Sequence, residues 1–492
     1  MAPRASAVAA DLATLTATEA GQRIAAGDVS SEELVGACLA RIDELEPQIG
    51  AWTFLDREHA LAQARAADAA RKAGKGVGPL NGLPVGVKDI IDTADMPTEH
   101  GCPVFKGRRP LEDAACVTAL RRAGAVVLGK TVTTELAAHN PAGTRNPHNV
   151  EHTPGGSSSG SAAAVACGMV PAALGTQTGG SVIRPSAFCG VYGFKPTFGM
   201  IPRTGVLTHA HSLDTIGVMG RSVEDVALLA DALQAYDEGD PASLTTSRPR
   251  LFAAATEDWP LAPLFAFVKT HAWGDCDPAT HEAFGELVES LGGQVAEISL
   301  DHTTERGGAS AQTVQRVEAA FHFGPLLDRA PHMISKAMTA QIEDGRRTSA
   351  VDYVAAFNAR ETFWAGIEDV LMHHGTILTP AALGPAPKGL GSTGNAVLCR
   401  FWTYLGVPAV TLPLFEADGL PMGVQLVAGR GDDGRLLRTA RWLVKHLEAN
   451  GSQLTASAPP ALGHGEPLGL GVVVGIAQDR AQLRRRQRAR RL

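Results

Sequence analysis

The stretch Thr153–Thr197, TPGGSSSGSAAAVACGMVPAALGTQTGGSVIRPSAFCGVYGFKPT, decides how the rest of this chain is interpreted. It contains two glycine–serine clusters, Gly155–Ser161 and Gly179–Ser181, on either side of the small helix-forming residues Ala162–Ala166. Two glycines before a serine let the backbone turn tightly at positive φ, so that neighbouring N–H groups converge on one point. Acyl transfer needs such donors beside a serine hydroxyl, because its tetrahedral intermediate carries an oxyanion. The two clusters therefore predict an acyl-transfer site.

This stretch resembles the signature of the amidase signature family, whose members hydrolyse amide bonds with a Ser-cisSer-Lys triad. Further motifs that carry the resemblance are GLPVGVKD at Gly82–Asp89, Asn146-Pro147, GVPAVTLP at Gly406–Pro413 and GLPMGVQL at Gly419–Leu426. The resemblance covers roughly residues 25 to 450. It implies an α/β fold, a single large domain in which a twisted mixed β-sheet is sandwiched between α-helices.

The resemblance also implies the site residues. Ser181 aligns with the nucleophile, Ser157 with the bridging serine that follows a cis peptide bond, and Lys88 with the base. It implies an oxyanion hole made of the nucleophile's own N–H group and those of the turn before it: Thr178, Gly179 and Gly180. The family uses no metal and no cofactor, and the resemblance names no substrate-binding residue.

Lys88 also suits the role of base on chemical grounds. A serine hydroxyl is a poor nucleophile unless a base accepts its proton, and a lysine can do so when desolvation lowers its pKa towards neutrality. Lys88 follows the apolar residues Leu83–Val87, in a segment Pro84–Ile91 that we predict to be a short buried strand. The alternative, a lysine that reaches solvent from a strand end, is disfavoured by the match of three motifs.

Three residues depart from the family pattern. Ser159 stands where glycine is usual, Gln177 replaces a common aspartate, and Ile183 replaces the usual arginine, with Arg184 one position later. None of them belongs to the implied triad, so the predicted chemistry stands. With these three changes, the sequence alone does not define how polar the substrate pocket is.

Motifs of two other enzyme classes also occur. Gly124–Thr131 fits the G-x4-G-K-T pattern of a phosphate-binding loop, but its middle reads as a buried strand that follows a helix, so we expect no nucleotide site. Gly156–Gly160 fits the G-x-S-x-G pattern of α/β-hydrolases, with Ser158 as the nucleophile. That class needs an apolar strand before the motif, which is missing here. It also needs a downstream histidine, and nothing in their context marks His209 or His211.

Composition and charge exclude several classes of protein. The chain has 492 residues, 45% of them hydrophobic, and a net charge of −7, although its last residues, Arg480–Leu492, are rich in arginine. The remainder is acidic, so we do not expect nucleic-acid binding. No run of 18 apolar residues and no clear secretory signal occur, so we expect no membrane span. The seven cysteines form no CxxC pair, which argues against a disulfide framework and a cysteine-rich zinc site and favours the cytoplasm.

We expect three parts along the chain: an N-terminal helical segment packed on the main domain at 1–60, an amidase signature domain at 61–455, and a flexible Gly/Pro-containing then Arg-rich tail at 456–492. A capping box at Ser30–Glu33 predicts a helix that ends at Pro47. Further along, the pattern predicts strands at Leu251–Ala255 and Phe265–Lys269, followed by an amphipathic helix at Pro278–Leu291.

These observations predict a hydrolase that cleaves the C–N bond of amides through an acyl-enzyme on Ser181, with anilides, esters and carbamates as open alternatives. The runner-up in the same family is the glutaminase A subunit of a tRNA-dependent amidotransferase. DYVAAFNAR at Asp352–Arg360 differs from the tyrosine- and lysine-rich stretch expected there, so we favour the non-amidotransferase branch. A catalytically silent binding protein would need one triad position to be lost, and none is. The expected partner is a small amide-like substrate, and a homodimer stays open.

Overall fold

One large mixed β-sheet organises the residues that the computed structural model describes, which are 12–75 and 78–450. Its 11 strands lie in the order β1-β3-β2-β4-β6-β5-β10-β11-β9-β7-β8. The strands are β1 Trp52–Leu55, β2 Pro84–Lys88, β3 Val126–Thr131, β4 Ala172–Gln177, β5 Tyr192–Lys195, β6 Thr215–Gly220, β7 Phe265–Lys269, β8 Val295–Ser299, β9 Thr376–Pro380, β10 Ala409–Ala417 and β11 Leu420–Val427. β2 pairs in parallel with both β3 and β4, and β7 pairs in parallel with both β8 and β9, whereas the other pairs are antiparallel.

Helices flank this sheet. They are α1 Ala17–Ala26, α2 Ser31–Ile49, α3 Arg57–Lys72, α4 Ala115–Arg122, α5 Ser159–Ala166, α6 Ile183–Cys189, α7 Val223–Leu233, α8 Leu251–Thr256, α9 Pro278–Leu291, α10 Asp301–Arg329, α11 Lys336–Arg347, α12 Ala350–His374, α13 Val397–Tyr404 and α14 Asp433–Ala449. Short 3-10 turns lie at Pro103–Phe105, Glu135–Ala137, Trp273–Asp275, Gly292–Gln294 and Pro331–Met333. The predicted α/β class, with one large sheet between helices, is confirmed.

Alternation along the strands explains how both faces of the sheet are covered. In β7, Phe265 and Phe267 join one cluster of buried apolar side chains, and Ala266 and Val268 join another. The first cluster includes buried residues of α2, α9 and α14, and the second includes those of α10, α12 and α13. Successive side chains of a strand point to opposite faces, so two sets of helices cover the two faces.

The capping box predicted at the start of α2 is confirmed. The Glu33 N–H group donates to Ser30 Oγ at 3.1 Å, and the Glu33 carboxylate accepts from the Ser30 N–H group at 2.8 Å. The predicted end at Pro47 is wrong, because the helix continues to Ile49 before Gly50 ends it at a φ of 64°. Proline in a last turn removes one backbone donor without preventing the next residues from staying helical.

The strand predicted at Leu251–Ala255 is also wrong, because this segment is helix α8. Leu251 and Ala255 lie one helical turn apart and are both buried, while the Leu251 N–H group donates to Asp231 Oδ1 at 2.8 Å. A short apolar run fits either a buried strand or a helix, and three successive alanines favour the helix. The strand at Phe265–Lys269 and the helix at Pro278–Leu291 are confirmed.

The predicted division into three parts stays a prediction. Within the predicted segment 1–60, β1 pairs with β3 and so belongs to the same sheet as the rest of the chain. The predicted tail at 456–492 lies outside the residues that the structure describes.

Candidate active site

Lys88 is the last residue of β2 and has no exposed surface, as its apolar surroundings in the sequence predict. Its Nζ lies 2.7 Å from Ser157 Oγ and 2.9 Å from Thr176 Oγ1. Burial lowers the pKa of Lys88 to about 7, although the nearby Asp214 carboxylate acts in the opposite direction. Since a large part of such lysines is neutral at pH 7, Lys88 can accept a proton from the hydroxyl that it contacts.

The first glycine–serine cluster places Ser157 beside this lysine. Gly155 has a φ of 83°, and a Cβ added there would lie 2.8 Å from the Cα of Pro185, so only glycine fits. The peptide bond between Gly156 and Ser157 is cis, as the resemblance implies. The buried Ser157 then leads into α5, which follows two residues later.

The second cluster forms the turn between β4 and α6, defined here as residues 178–181 and called the Ser181 turn. Ser181 is half-buried, and its hydroxyl group makes no hydrogen bond within the part of the chain that the structure describes. Thr178, Gly179 and Gly180 precede it in the same turn. The structure therefore brings Lys88 and Ser157 within hydrogen-bonding distance, and it places Ser181 on a separate turn with a free hydroxyl group.

Gln177 holds the Ser181 turn with both ends of its side-chain amide. Its Oε1 accepts from the N–H groups of Val182 and Ile183 at 2.8 and 3.0 Å. Its Nε2 donates to Thr403 Oγ1 at 2.9 Å, and that hydroxyl group donates to the Gly179 carbonyl oxygen at 2.7 Å. An aspartate at position 177 could accept these hydrogen bonds but could not donate one. The hydrogen bond to Thr403 therefore depends on the glutamine that departs from the family pattern.

Asp214 fixes the other side of the Ser181 turn and was missed in the sequence. Its Oδ1 accepts from Thr178 Oγ1 at 2.6 Å, and its Oδ2 accepts from the N–H groups of His209 and Ala210 at 2.7 and 2.9 Å. Thr176, which contacts Lys88, was also missed. Thr176 lies inside the signature stretch Thr153–Thr197, but its contact with Lys88 spans 88 positions. Asp214 lies outside that stretch, 36 positions from Thr178.

A cavity of about 370 Å³ opens beside these residues and is lined by Thr176, Thr178, His209 and Asp214, among others. This volume fits a small organic molecule. Its wall also includes Ala137, Arg203–His209, His211 and His322.

The alternative motifs lack the geometry that their chemistry needs. Ser158 is buried, and its Oγ donates to the Thr176 carbonyl oxygen and accepts from the Thr176 N–H group, both at 3.2 Å. Its hydroxyl group therefore serves a backbone contact. In Gly124–Thr131, the residues Val126–Thr131 are the fully buried strand β3, preceded by helix α4 as predicted, and they form no open loop.

Metal-ligand clusters and membrane-spanning helices are both absent from the described residues. Within residues 12–75 and 78–450, no group of three or more His, Cys, Asp or Glu side chains is arranged to hold a metal ion. Over the same residues, no helix is both long and apolar enough to cross a bilayer. All seven cysteines are free and buried.

Comparisons with known proteins identify relatives that match most of this chain. The family model described as Amidase matches residues 33–437. The A subunit of glutamyl-tRNA(Gln) amidotransferase from Chloroflexus aggregans is 34% identical over 474 residues, which cover 87% of this chain and 95% of that protein.

Two solved structures share the fold of this chain. One comes from work on a vestigial protein complex and the origins of an s-triazine catabolic enzyme; it has a TM-score of 0.83 and 27% identity, over 89% of this chain and 99% of the other. The peptide amidase from Stenotrophomonas maltophilia has a TM-score of 0.76 and 27% identity, over 90% of this chain and 98% of the other.

Proposed function

The chain belongs to the amidase signature family, and we propose that it cleaves amide C–N bonds through an acyl-enzyme on Ser181, with Ser157 and Lys88 as its proton relay. One observation carries the proposal: the Nζ atom of the fully buried Lys88 lies 2.7 Å from Ser157 Oγ, and its pKa is about 7. A lysine of ordinary pKa would stay protonated at neutral pH and could not serve as a base.

In the proposed reaction, neutral Lys88 accepts the Ser157 proton while Ser157 accepts the Ser181 proton. Ser181 Oγ attacks the carbonyl carbon, and the N–H groups of the Ser181 turn stabilise the oxyanion. The relay then returns the proton to the leaving nitrogen as the C–N bond breaks, and the free amine or ammonia departs. Water attacks the acyl-enzyme through the same relay and releases the carboxylic acid. Esters and anilides differ in the leaving group, an alcohol or an aniline, whereas a carbamate cleaved at its C–N bond would leave an alkoxycarbonyl group on Ser181.

A second candidate is the glutaminase A subunit of a tRNA-dependent amidotransferase. It is favoured by a relative of that name, which is 34% identical over 87% of this chain, and the relatives support it better than they support a free-standing amidase. The chemistry proposed for Ser181 would be the same, with glutamine as the substrate and ammonia as the leaving group. The stretch Asp352–Arg360 lies in α12 and remains the sequence feature that favours a free-standing enzyme.

The two candidates are separated by measuring ammonia or amine release from aliphatic amides, anilides and carbamates, beside a glutaminase assay. A free-standing amidase should turn over at least one non-glutamine class without any partner. The amidotransferase component should instead act on glutamine and gain activity with its partner proteins. Ser181→Ala should lower kcat by roughly 10⁴-fold or more in either case, as nucleophile deletions do. Ser158→Ala should retain turnover, and a larger loss in Ser158→Ala than in Ser181→Ala would reject the proposal.

A further inference from the structure

Helix α13 packs directly against the Ser181 turn. A Cβ placed on Gly180 would lie 2.9 Å from the Cβ of Cys399 and 3.2 Å from that of Ala396, and Thr403 donates to the Gly179 carbonyl oxygen. The Arg400 N–H group bonds to the Ala396 carbonyl oxygen, so Arg400 lies one helical turn after Ala396. Residues four apart share one side of a helix, which places Arg400 beside the turn.

Arg400 has an unused guanidinium group. The residue is half-buried, its Nε is buried without a hydrogen-bond partner, and its side chain forms no hydrogen bond or ion pair with any residue that the structure describes. The nearby cation Arg316 also lowers the pKa of Arg400. Arg316 itself pairs with Asp344 at 2.6 Å. Burial lowers the pKa of Arg400, but an arginine keeps its charge at neutral pH.

Arg184 adds a second cation at the same place. Its Nη2 donates to the Gly156 carbonyl oxygen at 2.7 Å, and its Nε donates to the Thr393 carbonyl oxygen at 2.8 Å, but its Nη1 is buried without a partner. That Nη1 lies 3.3 Å from the position of a Cβ on Gly180. Arg184 and Arg400 repel each other, and no carboxylate is among the groups that shift the pKa of either.

His139 completes the cluster at its solvent-accessible side. Its side chain is exposed, yet it is surrounded by enough protein for desolvation, together with Arg184, His209 and Arg400, to lower its pKa to about 4. It is therefore neutral at pH 7 and offers a polar group without further charge. The positive charge of Arg184 and Arg400 therefore lies next to the Ser181 turn without a negative partner.

An unpaired half-buried cation costs free energy unless an anion pairs with it. We infer that Arg400 binds a carboxylate of the substrate, so that the enzyme acts on amides that carry a negative charge near the scissile carbonyl, such as monoamides of dicarboxylic acids. Arg184 strengthens the positive potential beside Arg400. This inference rests on the proposed function, because it assigns the anion to the substrate of Ser181.

The first test compares kcat/KM, measured by ammonia release, for malonamate, succinamate and glutaramate with that for propionamide, butyramide and valeramide. The wild-type enzyme should favour an anionic member over its neutral counterpart by about tenfold or more. Arg400→Gln should lower kcat/KM for anionic amides by roughly 10–100-fold, mainly through KM, since a charge-assisted hydrogen bond is lost. It should leave kcat/KM for neutral amides within about threefold. Arg316→Gln is the matched control, because Arg316 already pairs with Asp344.

The inference is overturned if the wild-type enzyme does not prefer anionic amides, or if Arg400→Gln lowers kcat/KM for both classes equally. Labelling of Ser181 by a neutral fluorophosphonate separates this outcome from a failure of the proposed function. Malonate, succinate or glutarate should slow labelling of the wild-type enzyme but not of Arg400→Gln, whose continued labelling shows that it is folded. Labelling that none of these dicarboxylates slows would overturn the inference alone, whereas no labelling of wild-type Ser181 would reject the proposed function.

Discussion

Lys88 lies at the end of β2 without exposed surface, and its surroundings set its protonation state. Burial lowers its pKa to about 7, and Asp214, which also binds Thr178, opposes that shift. Asp214 thus acts on the predicted base and on the predicted oxyanion hole together. A carboxylate at this position keeps the lysine pKa from falling further while it fixes the turn that carries Ser181.

We expect kcat/KM to rise with pH as Lys88 loses its proton, with a midpoint near pH 7 and a plateau above it. In the proposed mechanism a protonated Lys88 cannot accept a proton, so we expect activity to be lost as the pH falls through that pKa. Lys88→Ala should lower kcat by roughly 10²–10⁴-fold. Lys88→Arg should not restore activity, because a guanidinium group stays protonated.

A histidine base of ordinary pKa, ~6.5, would give a similar pH profile of kcat/KM. The identity of the base is therefore tested with variants of Lys88 and His209. Burial lowers the pKa of His209, and its ring nitrogens contact the Leu136 carbonyl oxygen and Gln341 Nε2 rather than a serine hydroxyl group. The midpoint should therefore persist in His209→Gln. Near-normal turnover of Lys88→Arg, or loss of the alkaline rise in His209→Gln, would contradict the role of Lys88.

Gln177 gives a second prediction, because both ends of its amide hold the Ser181 turn. In Gln177→Glu the carboxylate can still accept from Val182 and Ile183, but it cannot donate to Thr403. One buried hydrogen bond is worth about 1–3 kcal/mol when its partner is left unsatisfied, so we expect kcat to fall roughly 5–100-fold. Gln294→Glu is the control, since Gln294 donates to the Pro263 carbonyl oxygen at 3.1 Å outside the site. Equal losses of kcat in the two variants would argue against a role for Gln177 in positioning the turn.

At the scale of elements, helix α13 packs closely against the Ser181 turn. A Cβ on Gly180 would come within 2.9 Å of Cys399, which real Cβ atoms do not tolerate without a shift. We therefore expect Gly180→Ala to displace α13 or the turn, to lower kcat at least tenfold and to lower Tm. Gly36→Ala is the matched control, because Gly36 lies in α2 with nothing within 4 Å of the added Cβ. That change should leave kcat unaltered and stabilise the helix slightly. Unchanged kcat in Gly180→Ala would show that the turn is less confined than the packing indicates.

The elements also show what local sequence can predict. The apolar run before Lys88 predicts a buried strand, and the Ser30–Glu33 pair predicts a helix start, because both signals are local. Leu251–Ala255 is misassigned because its periodicity is ambiguous over five residues. Thr403 and Cys399 are not predictable in the same way, because their contacts with the Ser181 turn join residues more than 200 positions apart.

At the scale of the whole molecule, one sheet brings together Lys88, Asp214 and the Ser181 turn. β2 carries Lys88, β4 leads to Ser181, and β6 follows Asp214, and these three strands are neighbours in the order β2-β4-β6. Residues at the ends of adjacent strands lie close together, whereas Ser157 comes from the loop before α5 that Gly155 allows to form. The family resemblance supplies the identity of these residues, and the sheet supplies their proximity.

The Arg-rich tail gives a prediction at this scale. Every predicted site residue lies within the described part of the chain, so we expect deletion of residues 460–492 to leave kcat and KM within about twofold. Turnover and the mass of the particle in solution, measured for full-length and truncated protein, check this. A large loss of turnover or of solubility would show that the tail packs on the enzyme.

The central claim is that Ser181 is the nucleophile and Lys88 its base, and both halves are tested by the pH dependence of Ser181 labelling with a fluorophosphonate. Peptide mapping should find the label on Ser181, and the labelling rate should rise with pH around the Lys88 pKa of about 7. In Lys88→Ala the rate should be low and should no longer show that midpoint. A label on Ser158, or a midpoint near pH 7 that persists in Lys88→Ala, would contradict the account.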